Sequence, residues 1–244
     1  MKRGPLIALI IILVIIAVLA ILLVVPGSSG NQTVGTPNGT TTGTGATSTP
    51  TSTLTFDQSI SDGVITVSYP SADFGLATNA SQVLVHPYIP PCSAGFTYCL
   101  YYTGGAYSGT TFESAGIRIQ KRTDLATQNQ CLTTEPAGFG LRPVIVTSTD
   151  YAASVFSPLG DAAAGHFANG AVYRLSYGKN CYEFETRIGE SDYGNYPSGS
   201  IQQFTPDEQT AIQNELQHIL GTLVVVSSGE SVHFPPPPQH LPVD

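Results

Sequence analysis

An unbroken apolar run from Leu6 to Val25, 20 residues long, constrains this chain more than any other feature. A helix needs roughly 20 apolar residues to cross a hydrocarbon core of about 30 Å. No charged or polar side chain interrupts the run, and Pro26-Gly27 ends it. Lys2 and Arg3 precede it, and no basic residue follows closely. The positive-inside rule therefore predicts a cytoplasmic N-terminus and an extracytoplasmic remainder. The apolar part of a cleaved signal peptide spans about 7–15 residues, so an uncleaved signal anchor is the expectation. Small residues at Gly27, Ser28 and Ser29 nevertheless offer a cleavage site. No Cys follows the run, which excludes a lipoprotein anchor, and Pro26 stops the helix from continuing into a globular head as in pilins.

Residues 1–26 are thus read as cytoplasmic start and transmembrane anchor. Residues 27–53 are almost entirely Gly, Ser, Thr, Asn and Pro. Such a stretch has no apolar area to offset ordering entropy, and it reads as a linker. Asn31-Gln-Thr, Asn38-Gly-Thr and Asn79-Ala-Ser match the glycosylation acceptor pattern. Residues 54–227 read as one extracytoplasmic domain, long enough for a self-sufficient core. Residues 228–244, with Pro235 to Pro238 in succession, read as a disordered Pro-rich tail of polyproline II character. Its alternatives are a solvated end or a docking peptide. Charge follows this division. The whole chain carries −8, but Lys2 and Arg3 lie before the anchor, which leaves 7 basic and 17 acidic residues, −10, on the exported side. That balance argues against nucleic acid, whose phosphates need clustered cations.

Within the domain, Gly63 to Tyr69 alternates with Ile65, Val67 and Tyr69 on one face. Phe112 to Gln120 and Val144 to Thr147 are further strands, and Gln82 to Ile89 is an edge strand carrying Pro87. Ala171 to Ile188 reads as a hairpin about Gly178-Lys179-Asn180. Pairing Gly178 with Cys181 sets Tyr177 against Tyr182, Leu175 against Phe184 and Arg174 against Glu185. Thr205-Pro206-Asp207-Glu208 has the form of a capping box with proline at the first helical position. Ala211, Ile212, Leu216, Ile219, Leu220 and Leu223 follow on one stripe. Gly221 closes that helix, Leu223 to Val226 reads as a buried strand, and Asp124 to Leu132 as a short helix. The expected fold class is α+β: a transmembrane helix, a linker, then an antiparallel sheet with a C-terminal amphipathic helix packed on it.

Four cysteines, Cys92, Cys99, Cys131 and Cys181, all follow the anchor. An even count in an oxidising compartment points to disulfides. Three connectivities are open, and Cys92–Cys99 with Cys131–Cys181 is favoured because six residues including Gly95 close the first loop. The spacing does not suit zinc, and no nucleophile elbow, HExxH helix or phosphate loop is present. Neither a metal nor a cofactor is expected. Three constellations merit attention. Asp161 and His166, in Gly160-Asp161-Ala-Ala-Ala-Gly165-His166, could serve Ser154 or Ser157, although a bend between strands explains the same residues. Arg174, Glu183, Glu185 and Arg187, with Arg118 and Glu113 nearby, form either an acid/base pair or a charge-neutral lattice on the sheet surface. Tyr98, Tyr101, Tyr102 and Tyr107 alternate with Ser and Gly as recognition surfaces do, and as strand-and-turn sequence does. These tyrosines are the candidate binding residues.

Two stretches carry a resemblance. Val64-Ile-Thr-Val-Ser-Tyr-Pro70 followed by Phe74-Gly-Leu76, and the closing helix and strand from Phe204 to Val226, resemble small extracytoplasmic domains of the PsbP-like α/β sandwich type. The hairpin of Tyr173–Tyr177 and Tyr182–Ile188 suits their antiparallel sheet. The chain is also similar in layout to single-pass bacterial envelope proteins. The resemblance implies a non-enzymatic accessory or binding role and assigns no residue. The leading expectation is a membrane-anchored extracytoplasmic binding or scaffolding domain that meets an envelope protein or glycan. The alternatives are an envelope hydrolase using Glu183/Glu185 or Asp161/His166, and a structural surface subunit.

Overall fold

The computed structural model describes residues 54–78, 90–93, 95–136, 138 and 140–237. The expected anchor, the 27–53 linker, the strand at 82–89 and the end of the tail beyond Pro237 lie outside the described residues. Among the described residues no helix is long and apolar enough to cross a membrane.

Alternation of large apolar side chains dictates two antiparallel sheets. β1 (Gln58–Ser61), β2 (Ile65–Tyr69), β10 (Val224–Val225) and β11 (Glu230–Ser231) form a small sheet in the order β1-β2-β10-β11. The larger sheet contains β3 (Phe74–Ala77), β4 (Tyr98–Tyr102), β5 (Phe112–Lys121), β6 (Val144–Thr147), β7 (Tyr151–Ala163), β8 (His166–Tyr177) and β9 (Asn180–Ser191). Its order is β3-β4-β5-β9-β8-β7-β6, antiparallel throughout. Among the described residues two α-helices accompany them: α1 (Gln128–Thr133) and α2 (Pro206–Leu220). The α+β expectation is therefore corrected to a mostly antiparallel β fold. The long strands β7 and β8 account for the difference. The run from Tyr151 to Ala163 mixes small residues with Ser and Pro and shows no clear period of two, so the alternation rule passes over it.

One core lies between the sheets and α2. Ile65, Val67 and Tyr69 enter it from β2, Ile117 and Ile119 from β5, Tyr173 and Leu175 from β8, and Phe184 from β9. α2 inserts Ile212, Leu216, Ile219 and Leu220. Its N-terminus is capped as its residues predict: the Thr205 hydroxyl accepts from the Glu208 N–H, and the Glu208 carboxylate accepts from the Thr205 N–H at 2.7 Å. The chain past residue 227 does not leave the domain. Val232 and Pro235 are buried, and Phe234 packs edge-on against Tyr173 and Phe184 with ring centroids 5.2 and 5.7 Å away. The expected disordered tail is thus corrected as far as Pro237.

The β8–β9 hairpin exists, with its register displaced by two residues. Tyr177 pairs with Asn180, Leu175 with Tyr182, Tyr173 with Phe184 and Arg174 with Glu183. A two-residue slip preserves faces, so the apolar and ionic sides are as expected while the partners differ. Gly178, at φ +59°, takes the first position of a two-residue loop, which is where a type II′ turn needs glycine.

Candidate functional site

The face of the large sheet turned away from the core is ionic and covered. Arg118, Gln120, Arg174, Glu183, Glu185 and Arg187 project there from adjacent strands. α1 lies across it, tied down by the Cys131–Cys181 disulfide, with Leu125 packed beside the bridge. The Cys92–Cys99 loop covers the β4–β5 side, where Arg118 donates to the carbonyls of Pro90 and Pro91 at 3.0 and 3.1 Å. Glu183 accepts from Gln120 Nε2 at 2.7 Å, Arg122 Nη1 at 2.6 Å and Arg174 Nε at 2.8 Å. Arg174 also donates to the carbonyls of Cys131 and Thr134. Glu185 Oε1 bridges Arg118 and Arg187 at 3.2 and 3.3 Å. Burial pulls the guanidinium groups of Arg118 and Arg174 below their ordinary range, against the attraction of their carboxylate partners. The lattice expected on the sheet surface is instead interior: Arg174 is 1 % exposed and Glu183 5 %. Glu183 and Glu185, the carboxylates of the hydrolase alternative, are occupied by arginine.

The remaining sequence candidates separate. Asp161 and His166 flank the turn of the β7–β8 hairpin, yet each has its own partner. Asp161 Oδ2 lies 3.6 Å from Arg187 Nη2, and His166 Nδ1 lies 2.5 Å from Glu113 Oε1. Ser154 is fully buried on the ionic face opposite Arg174, without a hydrogen-bond partner among the described residues. Ser157 stands beyond it in the β7 bulge. The four tyrosines do not form one patch. Tyr102 and Tyr107 belong to an aromatic cluster with Phe74, Phe112 and Phe204, at centroid separations of 5.1–5.6 Å. Burial, with Glu215 nearby, pushes the Tyr102 hydroxyl up to about 12 and that of Tyr107 higher still. Tyr101 points to the other face of β4 and packs on Cys92, Cys99 and Ala77. Tyr98 reaches a concavity. It lines an apolar pocket of about 240 Å³ between β1–β2 and β4–β5, whose rim carries Asp62, Lys121 and Tyr182. Tyr182 donates to Asp62 Oδ2 at 2.6 Å.

A larger cleft, about 1100 Å³, opens between α2 and the bulged part of the large sheet, with Pro236 and Pro237 along one side. Five carboxamides line it: Asn169 from β8, and Gln209, Gln213, Asn214 and Gln217 from α2. Among the described residues no Asp, Glu, Lys or Arg does. Gln209 is held by Glu190 at 2.8 Å and Gln217 by the Tyr173 hydroxyl. Asn169, Gln213 and Asn214 are exposed and make no side-chain hydrogen bond among the described residues. The sequence signal that would have located this site is the spacing of four between Gln209, Gln213 and Gln217, which aligns them along one side of a helix. The apolar stripe beside them draws attention first. Carboxamides provide two donors and an acceptor each at no net charge. They can match hydroxyl and acetamido groups without the desolvation penalty of an ionic lining.

No known family matches the chain, and no curated protein matches it.

Proposed function

We propose that this is an exported binding domain, held at the membrane by the apolar segment 6–25, whose α2 cleft takes a neutral, hydroxyl- and amide-rich ligand such as a stretch of envelope glycan. One observation carries the reading: in a chain of net charge −8, a cleft of about 1100 Å³ is lined by five carboxamides and, among the described residues, by no ionised side chain. Ionised groups would favour a charged ligand, and an all-apolar lining would favour a lipid or an apolar side chain. The two disulfides support an oxidising compartment, and the basic residues before the apolar run support the orientation.

The test is calorimetric titration of the full-length chain with a tetramer of N-acetylglucosamine and, separately, a neutral glucose oligomer. Binding of at least one is expected, weakened about tenfold or more by Gln213→Glu together with Asn214→Asp, which insert charge at nearly unchanged shape. Absence of binding to both sugars, or equal affinity in the charged variant, would remove the reading.

A further inference from the structure

The pocket that Tyr98 lines lies between the two sheets and is separate from the α2 cleft. Ile60, Ile65 and Val67 line it from the small sheet, and Ile119 from the large one. All four are buried members of the core, so the pocket is an opening onto the core itself. Its volume is about 240 Å³. At about 30 Å³ per water that is roughly eight waters, less than a drug-sized ligand needs and enough for one large side chain.

The mouth of this apolar space carries two opposite charges. Along β5 the core-facing positions run Ile117, Ile119, Lys121, so the stripe ends on an ammonium. Lys121 pairs with Tyr182 of β9, and its Nζ lies 5.8 Å from the centre of the Tyr182 ring. It is exposed and takes part in no ion pair among the described residues. The Tyr182 hydroxyl donates to Asp62 Oδ2 at 2.6 Å, while Asp62 Oδ1 accepts from the Val64 and Ile65 N–H groups at 2.9 and 3.0 Å. A carboxylate offers about four lone-pair sites, so one on Oδ2 stays open. Tyr182 thus stands between a cation without a carboxylate and a carboxylate with one site to spare.

Charge selects the ligand. An anion is attracted by Lys121 and repelled by Asp62, and a cation the reverse. A molecule with both charges on neighbouring atoms satisfies both groups and leaves its remaining substituent over the apolar floor. We propose that this pocket binds a free apolar α-amino acid of about the size of leucine, with its carboxylate on Lys121, its ammonium on Asp62 Oδ2 and its side chain among Ile60, Ile65, Val67 and Ile119. Within a peptide chain the same residue has lost both charges, so the site takes the free amino acid.

Equilibrium dialysis of the full-length chain in mild detergent against labelled L-leucine, up to about 10 mM, tests this. Saturable binding is expected. Three unlabelled competitors dissect it: 4-methylpentanoate lacks the ammonium, 3-methylbutylamine lacks the carboxylate, and glycine lacks the apolar side chain. Each should compete about tenfold or more weakly than unlabelled leucine, because each forgoes a charged hydrogen bond or the apolar contact. Lys121→Met, which keeps the length of the side chain and removes its charge, should weaken leucine binding by about tenfold or more. An unchanged melting temperature verifies the fold of that variant, and the competitor series on the parent chain decides the matter where it does not. Absence of saturable leucine binding, competition by either singly charged analogue or by glycine equal to that of leucine, or an affinity indifferent to Lys121→Met would overturn the proposal.

Discussion

Glu183 and Glu215 are both partly or wholly removed from water, and their surroundings treat them oppositely. Glu183 is met by two guanidinium groups and a carboxamide, so its charge is matched where it is buried. Glu215 on α2 faces Tyr102 and Tyr107, and its Oε2 is buried without a hydrogen-bond partner among the described residues. Burial raises its carboxyl above the ordinary 4.5, and the nearby Asp73 charge adds to the rise. The folded state therefore holds this proton to higher pH than the unfolded chain does. Stability falls as pH rises through the window that begins near 4.5. Asp62 behaves in the opposite sense. Although burial opposes it, bonds from Tyr182 and from the Ile65 and Val64 N–H groups lower its carboxyl below 3.8, so its contribution is lost only as pH falls through that lowered value. Glu215→Gln should then melt higher than the parent at pH 7 and at the same temperature well below pH 4.5, where both side chains are neutral. Thermal unfolding at the two pH values checks this, and a gain that persists at acid pH would point to packing instead.

Elements whose signal is local are legible, and those whose signal is tertiary are not. The cap at Thr205 and the apolar stripe of α2 state the helix outright, because each requirement is met within a turn of the chain. β6 coincides with the run Val144–Thr147 for the same reason. The β8–β9 hairpin is legible in kind but not in register. Alternation repeats every two residues, so a slip of two leaves every face correct, and only the loop decides. Gly178 decides it by accepting a positive φ that centres the loop on Gly178-Lys179 rather than Lys179-Asn180. Gly170 illustrates a constraint invisible in one dimension. It sits on β8 opposite Arg187, and a Cβ there would meet the Thr186 carbonyl oxygen at 2.0 Å. A contact that short forces the β8–β9 backbones apart, since the obstacle is main chain and cannot rotate away. Gly170→Ala should accordingly lower stability by about 1–3 kcal/mol in urea denaturation. An unaffected midpoint would show that the two strands separate there without strain. The carboxamide cleft beside Gly170 should be the first region to lose hydrogen-exchange protection.

At the scale of the whole molecule, what escaped the sequence is what distant segments do to each other. Four successive prolines gave the last residues the look of a free tail. Val232, Phe234 and Pro235 nevertheless complete the core, at a spacing that belongs to no regular element. The tyrosines likewise read as one cluster along the chain, and strand alternation divides Tyr98, Tyr101 and Tyr102 between two faces of β4. The ionic face was legible as a set of residues. Its burial was not, because its cover comes from α1 and the Cys92–Cys99 loop, which lie far from the hairpin in sequence. The disulfides hold that cover, and they should contribute unequally. Cys131–Cys181 spans 50 residues and Cys92–Cys99 spans 7. In the loop-entropy account, removing the first costs about 4 kcal/mol and the second about 2 kcal/mol. The longer bridge also fixes α1, whose Cys131 carbonyl accepts from Arg174. Cys131→Ala/Cys181→Ala should therefore be the more destabilised double variant in denaturant titration of the full-length chain. It should also expose the amide protons of α1 and mid-β8 to exchange. Cys92→Ala/Cys99→Ala should confine its loss of protection to β3, β4 and the residues beneath Arg118. The reverse order of stability would mean that strain or residual structure outweighs chain entropy, and that the ionic face is held by its own arginine–carboxylate contacts without help from the bridge.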